Sequence, residues 1–219
     1  MDELRKLHNR AKKDLIRTWV RPGSFCLDCG CGRGGDLWKW KEVQVRLAAI
    51  DPDAESLKEA ESRAGTVGLA VTFLGQGDIR QAAFAGPFDC VCYNFAIHYI
   101  VDSWEPSLTA LALSVRVGGL LIGITPEKAR AESMVGPDGK FRDRIGNEFE
   151  IRNDRLWVRL CDGPFYAQGP RDEPLLDSAE FHMALTKRGF ERVVWEPMLN
   201  RPNGLVSDLY SKFVYTKVR

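Results

Sequence analysis

Apolar residues recur through the first twenty positions at the spacing of a helix. Leu4, Leu7, Ala11, Leu15 and Trp19 share one face, and basic residues fill the other. Pro22 and Gly23 stop this helix. The rhythm then changes to short apolar runs separated by amphipathic stretches. "SFCLDCG" reads as a strand that ends in glycines, and "DLWKWKEV" as the helix after it. "VRLAAIDPD" is a second strand ending at Asp51, and "AESLKEAESRAG" a helix closed by Gly65. "LAVTFLGQGDI" is a third strand, and "FDCVCYNFAIHYI" a fourth, introduced by the Gly86-Pro87 turn signal. "SWEPSLTALALSVRVGG" is a helix stopped by Gly118 and Gly119, before a fifth strand, "LLIGITP". Parallel neighbours need a crossover, so this alternation predicts an α/β fold with a doubly wound, mostly parallel sheet up to Pro126.

Past Pro126 the pattern is different. Turn residues crowd the chain, and alternating segments such as Phe149, Ile151 and Trp157, Val158, Leu160 suggest hairpins. Residues 127–175 are therefore expected to form a β-rich insertion, a lid on the substrate side. "SAEFHMALTKRGFERVVWE" returns to an amphipathic helix stopped by Gly189, and "SDLYSKFVYTKVR" is a last strand. There are no internal repeats, and 219 residues suit one domain, 1–219.

Charge narrows the choice of partners. Lysine and arginine number 31 against 30 acidic residues, a net charge of +1, so bulk charge is not what would grip a long duplex. Only a local basic patch remains for a nucleic acid. No apolar run approaches the roughly 18 residues of a membrane span, and the charged beginning is unlike a signal peptide, which points to an intracellular protein without membrane contact. The six cysteines lie mostly in apolar stretches without histidines at ligand spacing. They are expected to be free buried thiols, with no metal site.

The glycine-rich turn carries the chemistry. Gly30, Gly32 and Gly35 satisfy the spacing of a dinucleotide fingerprint, yet Asp28 would set a carboxylate where a diphosphate belongs. An aspartate there suits a cationic ligand, and S-adenosylmethionine is the common nucleoside cofactor with ammonium and sulfonium charges. Asp51 sits where an acid would accept the ribose hydroxyls, and Asp78 where one could receive the adenine amino group. The bland alternative is that these acids are loop residues or helix caps, with Asp36 an obvious cap.

"LDCGCGRGGDLWKWK" together with "NFAIHYIVDSW" resembles the mRNA cap guanine-N7 methyltransferases, differing from their first motif mainly at Cys29 and Arg33. The resemblance runs on through Asn9-Arg10-Ala11-Lys12, "GGLLIGITP", "GNEFEI", "DEPLL" and "LYSKFVYTK". It implies a Rossmann-like class I methyltransferase fold, with S-adenosylmethionine as methyl donor, S-adenosylhomocysteine as product, and N7 of GpppN-capped RNA as acceptor. By the resemblance, Lys12, Asp28, Gly30, Asp51, Asp78, Asn94 and Phe95 touch the cofactor, Asn94 standing where the family has glutamine. Asn9, Arg33, Arg63 and Pro126 would line the cap site. His98, Tyr99, Glu173 and Tyr210 would surround the guanine, with Phe165 as its stacking aromatic. Guanine N7 has an in-plane lone pair and the sulfonium methyl is already activated, so placement suffices; orienting the reactants can supply about 7–11 kcal/mol. His98, Tyr99 and Glu173 then act by positioning, without acid/base chemistry. The implied partners are the 5′ cap of mRNA and, beyond it, other capping-enzyme domains or RNA polymerase. The chain itself is expected to be a monomer in a nucleus, a cytoplasmic viral factory or a virion. Two other readings stay open: a small-molecule methyltransferase, and a non-catalytic cap- or cofactor-binding subunit of a capping complex.

Overall fold

The computed structural model describes residues 3–161 and 169–219. Helix α1 (Glu3–Trp19) precedes a strand–helix alternation: β1 (Phe25–Cys29), α2 (Leu37–Val43), β2 (Arg46–Asp51), α3 (Ala54–Val67), β3 (Val71–Gln76), α4 (Ile79–Ala82), β4 (Phe88–Asn94), α5 (Trp104–Ser114) and β5 (Val115–Pro126). Next come α6 (Lys128–Met134), the short strands β6 (Lys140–Arg142), β7 (Glu148–Arg152), β8 (Arg155–Arg159) and β9 (Arg171–Pro174), then α7 (Ser178–Thr186), β10 (Phe190–Pro197) and β11 (Tyr210–Lys217).

Seven strands form one sheet in the order β10-β11-β5-β4-β1-β2-β3. Pairing is parallel from β3 across to β5, and β11 runs antiparallel to both of its neighbours. This is the doubly wound, mostly parallel sheet expected from the alternation, and it agrees with the Rossmann-like fold that the resemblance implied. Successive residues of β1 point to opposite faces, as the pleat requires. Cys26 packs with α1, α2 and α3 on one side, and Leu27 with α4, α5 and α7 on the other. The second face holds a ring cluster in which Phe181 meets Trp104, Trp195, Phe213 and Tyr215 at centroid distances of 5.6–6.0 Å. Such pairs add about 0.5–1.5 kcal/mol each beyond their buried area.

The turn-rich segment folds into a second, antiparallel sheet, β6-β7-β8-β9. Its alternation is that of a two-faced sheet: Phe149, Leu156 and Val158 join the α1-side core, while Lys140, Glu148, Glu150 and Trp157 stay more exposed. Asp143 ties this sheet to the loop before β11, accepting from the Val206 amide at 3.1 Å as well as from Asn147.

Several boundaries differ from the sequence reading. α3 continues through Gly65 to Val67, and Gly68, at φ 68°, is the left-handed cap. α5 ends at Ser114, and the stretch read as its last turn is already β5, because Phe88 and Cys90 recruit Val115 and Leu120 across a bulge. The fourth strand stops at Asn94; Ile97–Ser103 is a 3-10 turn. Helix α6 and strand β10 were not anticipated. The alternating apolar residues of β10 fall in a charged stretch, and only pairing with β11 fixes it as a strand.

Candidate functional site

Three strand ends and a turn build the site. Backbone amides of Gly30 and Cys31 donate to the Ile50 carbonyl, which draws the glycine turn against the end of β2. Gly30, Gly32 and Gly34 adopt φ of 70°, 51° and 72°. A side chain on Gly30 would bring its Cβ within 2.6 Å of the Ala96 Cβ, so the turn also approaches the end of β4 too closely for any other residue. Gly35, the third glycine of the fingerprint spacing, needs neither exception.

Asp28 is 4% exposed, and its Oδ2 accepts from the indole Nε1 of Trp40 at 3.0 Å. Burial first, then the negative charge of Asp36, pushes its carboxyl above the usual range. Asp51, also buried, accepts from the backbone amides of Gly32 at 2.7 Å and Asp53 at 2.9 Å, which fixes its carboxylate at the edge of the turn. Asp78 is occupied differently. It caps α4 in a reciprocal capping box with Gln81 and is clasped by the Arg80 guanidinium. Asp78 thus does serve as a cap, and a ligand would have to share it with Arg80.

Asp36 is not the cap the sequence suggested. It makes no capping bond; its Oδ1 receives Lys12 and Lys39 at 2.7 Å each, and its Oδ2 the Asn94 amide at 3.1 Å. Burial opposes its ionisation, but the two lysines together hold its carboxyl below the usual range. Asn9 joins this group by accepting from Lys39 at 3.0 Å. The buried Oδ1 of Asn94 has no partner among the described residues, a place for a ligand donor.

Phe95 adopts φ 62°, a strained value for an aromatic residue. The surroundings hold it there: its amide donates to the Ile124 carbonyl at 2.8 Å, and its ring stacks on His8 at 4.8 Å and meets Tyr210 edge-on at 4.9 Å. Tyr210 is paired in register with Pro126, so both sit at the β5–β11 end of the site.

A second cluster of polar groups joins the Ile97–Ser103 turn to β9. The Tyr99 hydroxyl donates to Glu173 Oε1 at 3.0 Å, and His98 Nε2 lies 3.8 Å from Glu173 Oε2. His98 and Tyr99 rings stand 4.2 Å apart. Glu173 is 4% exposed, and burial raises its carboxyl. His98 is buried, neither ring nitrogen has a hydrogen-bond partner among the described residues, and burial pushes it down to about 3, so the ring is neutral. Arg33 and Arg63 are both paired with Glu59, at 3.2 and 2.5 Å. Phe165 lies outside the described residues.

The structure thus joins Asn9, Lys12, Asp28 and Asn94 in one cluster, and His98, Tyr99 and Glu173 in another. His8, Lys39 and Trp40 belong to the site without having been singled out, and Asp36 had been read only as a cap. Asp36 and Lys39 are three residues apart on one short helix, a signal that was available. Nothing local announced the Trp40–Asp28 bond. The cysteines are all free, but Cys161 is exposed and Cys31 half-buried, unlike the four buried thiols. Among the described residues, no helix is long and apolar enough to cross a membrane.

A carboxylate-lined glycine turn at the carboxyl ends of a β3-β2-β1-β4-β5 sheet, with an antiparallel β11, is the arrangement of class I methyltransferases. The family described as "Methyltransferase domain" matches residues 26–119. Solved structures agree in fold: a Pyrococcus horikoshii protein superposes with a TM-score of 0.70 at 14% identity, covering 99% of this chain and 92% of its own. An S-adenosylmethionine-dependent methyltransferase from Clostridium acetobutylicum gives 0.66 at 17%, covering 97% and 91%. The chain has the Rossmann-like fold of these structures. In sequence it is similar to proteins named mRNA cap guanine-N(7) methyltransferase. It is 27% identical to mRNA cap guanine-N(7) methyltransferase 1 of Oryza sativa, over 82% of this chain and 52% of the rice protein. The Arabidopsis thaliana counterpart is 28% identical over 75% and 47%. The chain spans about half the length of these curated relatives.

Proposed function

We propose that this chain transfers a methyl group from S-adenosylmethionine to N7 of the guanine in GpppN-capped RNA. The observation that carries the reading is the buried Glu173 carboxylate, bonded to Tyr99 and facing a neutral, unpartnered His98, one turn beyond the Asn94 end of the glycine site. A buried carboxylate matches the N1 and N2 protons of guanine. Adenine offers no such pair of donors there, and a site built on hydrogen bonds rejects an analogue that lacks them by a large factor.

The donor set suits the proposed cofactor. Asp28 is a buried acid for a cationic group, Asp51 an acid at the end of β2 for ribose hydroxyls, and the orphaned Asn94 Oδ1 an acceptor for a further donor. When bound, S-adenosylmethionine supplies a methyl already activated by a sulfonium. The chain's residues then have one task, to hold the acceptor in line. Tyr99 fixes Glu173, Glu173 fixes the guanine edge, and the rigid Phe95 turn sets the distance between the two halves. Burial keeps His98 neutral, so it can donate from one nitrogen and accept at the other without a charge beside the purine.

Arg33 and Arg63 are proposed for the phosphates or sugar of the cap; a polyanion would compete with the half-buried Glu59 for both. The 5′ cap of mRNA is the proposed partner, with other capping-enzyme domains completing the longer protein where they occur. Incubation of GpppA or capped RNA with labelled methyl donor, followed by nuclease digestion, should yield N7-methylguanosine, and uncapped RNA none. Label on small metabolites with none on caps would refute the assignment.

A further inference from the structure

Asp36 carries more positive charge than it can neutralise. Two ammonium groups reach its Oδ1, Lys12 from α1 and Lys39 one turn along α2. The two are not equivalent. Lys39 is buried and places its three N–H donors on three acceptors: Asp36, the Gly35 carbonyl at 3.1 Å and Asn9 Oδ1 at 3.0 Å. Lys12 is half-buried; among the described residues its ammonium meets Asp36 and stands 6.0 Å over the Phe95 ring, at the end of β4. Its remaining donors are available to a ligand in the glycine site.

We infer that Asp36 and Lys39 are positioning residues that present Lys12 to an anion, the carboxylate of the cofactor's amino-acid moiety. The inference rests on the reading that the glycine turn binds S-adenosylmethionine. With Lys39 in place, Asp36 keeps a partner when Lys12 turns to the ligand, so no buried carboxylate is stranded. Without Lys39, Lys12 would be the sole counter-charge of Asp36 and could not leave it. Lys39 touches no ligand and acts through Lys12.

The test is calorimetric titration of the full chain with S-adenosylhomocysteine and with its decarboxylated analogue. Lys39→Met should weaken S-adenosylhomocysteine by about tenfold or more, while the decarboxylated ligand changes by less than about twofold. Lys39→Arg should restore most of the loss. Lys39→Gln, which retains donors without the charge, should show the same carboxylate-specific loss and covers the case in which Lys39→Met does not fold. Equal weakening of both ligands would mean that Lys39 only maintains shape, and an unchanged affinity for both would also overturn the inference. Failure of the unsubstituted protein to bind either ligand would instead overturn the cofactor reading beneath it.

Discussion

Asp28 and Glu173 are buried carboxyls raised by the same cause, burial, but their proposed tasks differ, and so do the expected outcomes. A cationic ligand needs Asp28 ionised. Because its carboxyl is raised, the protonated fraction persists closer to neutrality than for an exposed aspartate, and affinity for S-adenosylmethionine should climb as pH rises from about 6 to 8. Asp28→Asn should weaken binding and flatten that slope in a calorimetric pH series. Glu173 faces the other half of the site. Glu173→Ala should leave cofactor affinity within about twofold and lower cap methylation by about a hundredfold or more, since one buried partner of a hydrogen-bonded guanine edge is lost. A variant that turned over capped RNA at the normal rate would remove Glu173 from the guanine edge. Both acids stood out in the sequence, as did Asp51, through position at strand ends and motif. Asp36 stood out for the wrong role, because an aspartate ahead of a helix ordinarily caps it, and here two lysines had a stronger claim.

At the scale of elements, the glycine turn gives a paired prediction. Gly30→Ala forces a left-handed alanine and a Cβ 2.6 Å from that of Ala96, and should cost about 1–3 kcal/mol in thermal unfolding while disturbing cofactor binding. Gly35→Ala meets nothing within 4 Å and has an ordinary backbone, so its melting temperature should stay close to that of the unsubstituted chain. Fingerprint spacing names Gly35 and passes over Gly34; the backbone reverses that choice. Periodicity located β1 and β2 well because each is a compact apolar run ending in a turn signal, but it carried β4 past Asn94 into the Ile97–Ser103 turn. It failed at the α5–β5 junction, where Val115 continues a helical-looking pattern and only pairing with Phe88 of β4 makes it a strand residue. It also passed over β10, whose residues Glu191 and Arg192 look solvent-bound until β11 pairs with them.

Across the whole molecule, His98 links the site to stability. Its ring is held near 3 when folded and titrates near 6.5 when unfolded, so between those values the unfolded chain binds more protons. Its contribution is complete above about pH 6.5 and is lost as pH falls, amounting to about 2 kcal/mol at pH 5. Thermal melts at pH 7.5 and 5 should show that drop, and His98→Phe should diminish it. What the amino-acid order determined by itself was the alternation of strands and helices, the tight turn after β1 and the residue types at the strand ends, because local spacing encodes which side of an element is buried and where the chain can bend. Only the tertiary structure decided who meets whom. Tyr99 reaches Glu173 across 74 positions, Asn94 reaches Asp36 across 58, and Arg33 in the glycine turn reaches Glu59 on α3. Such partners are chosen by strand order and by competition among buried charges for the few counter-charges within reach, and neither is written in the spacing of neighbouring residues.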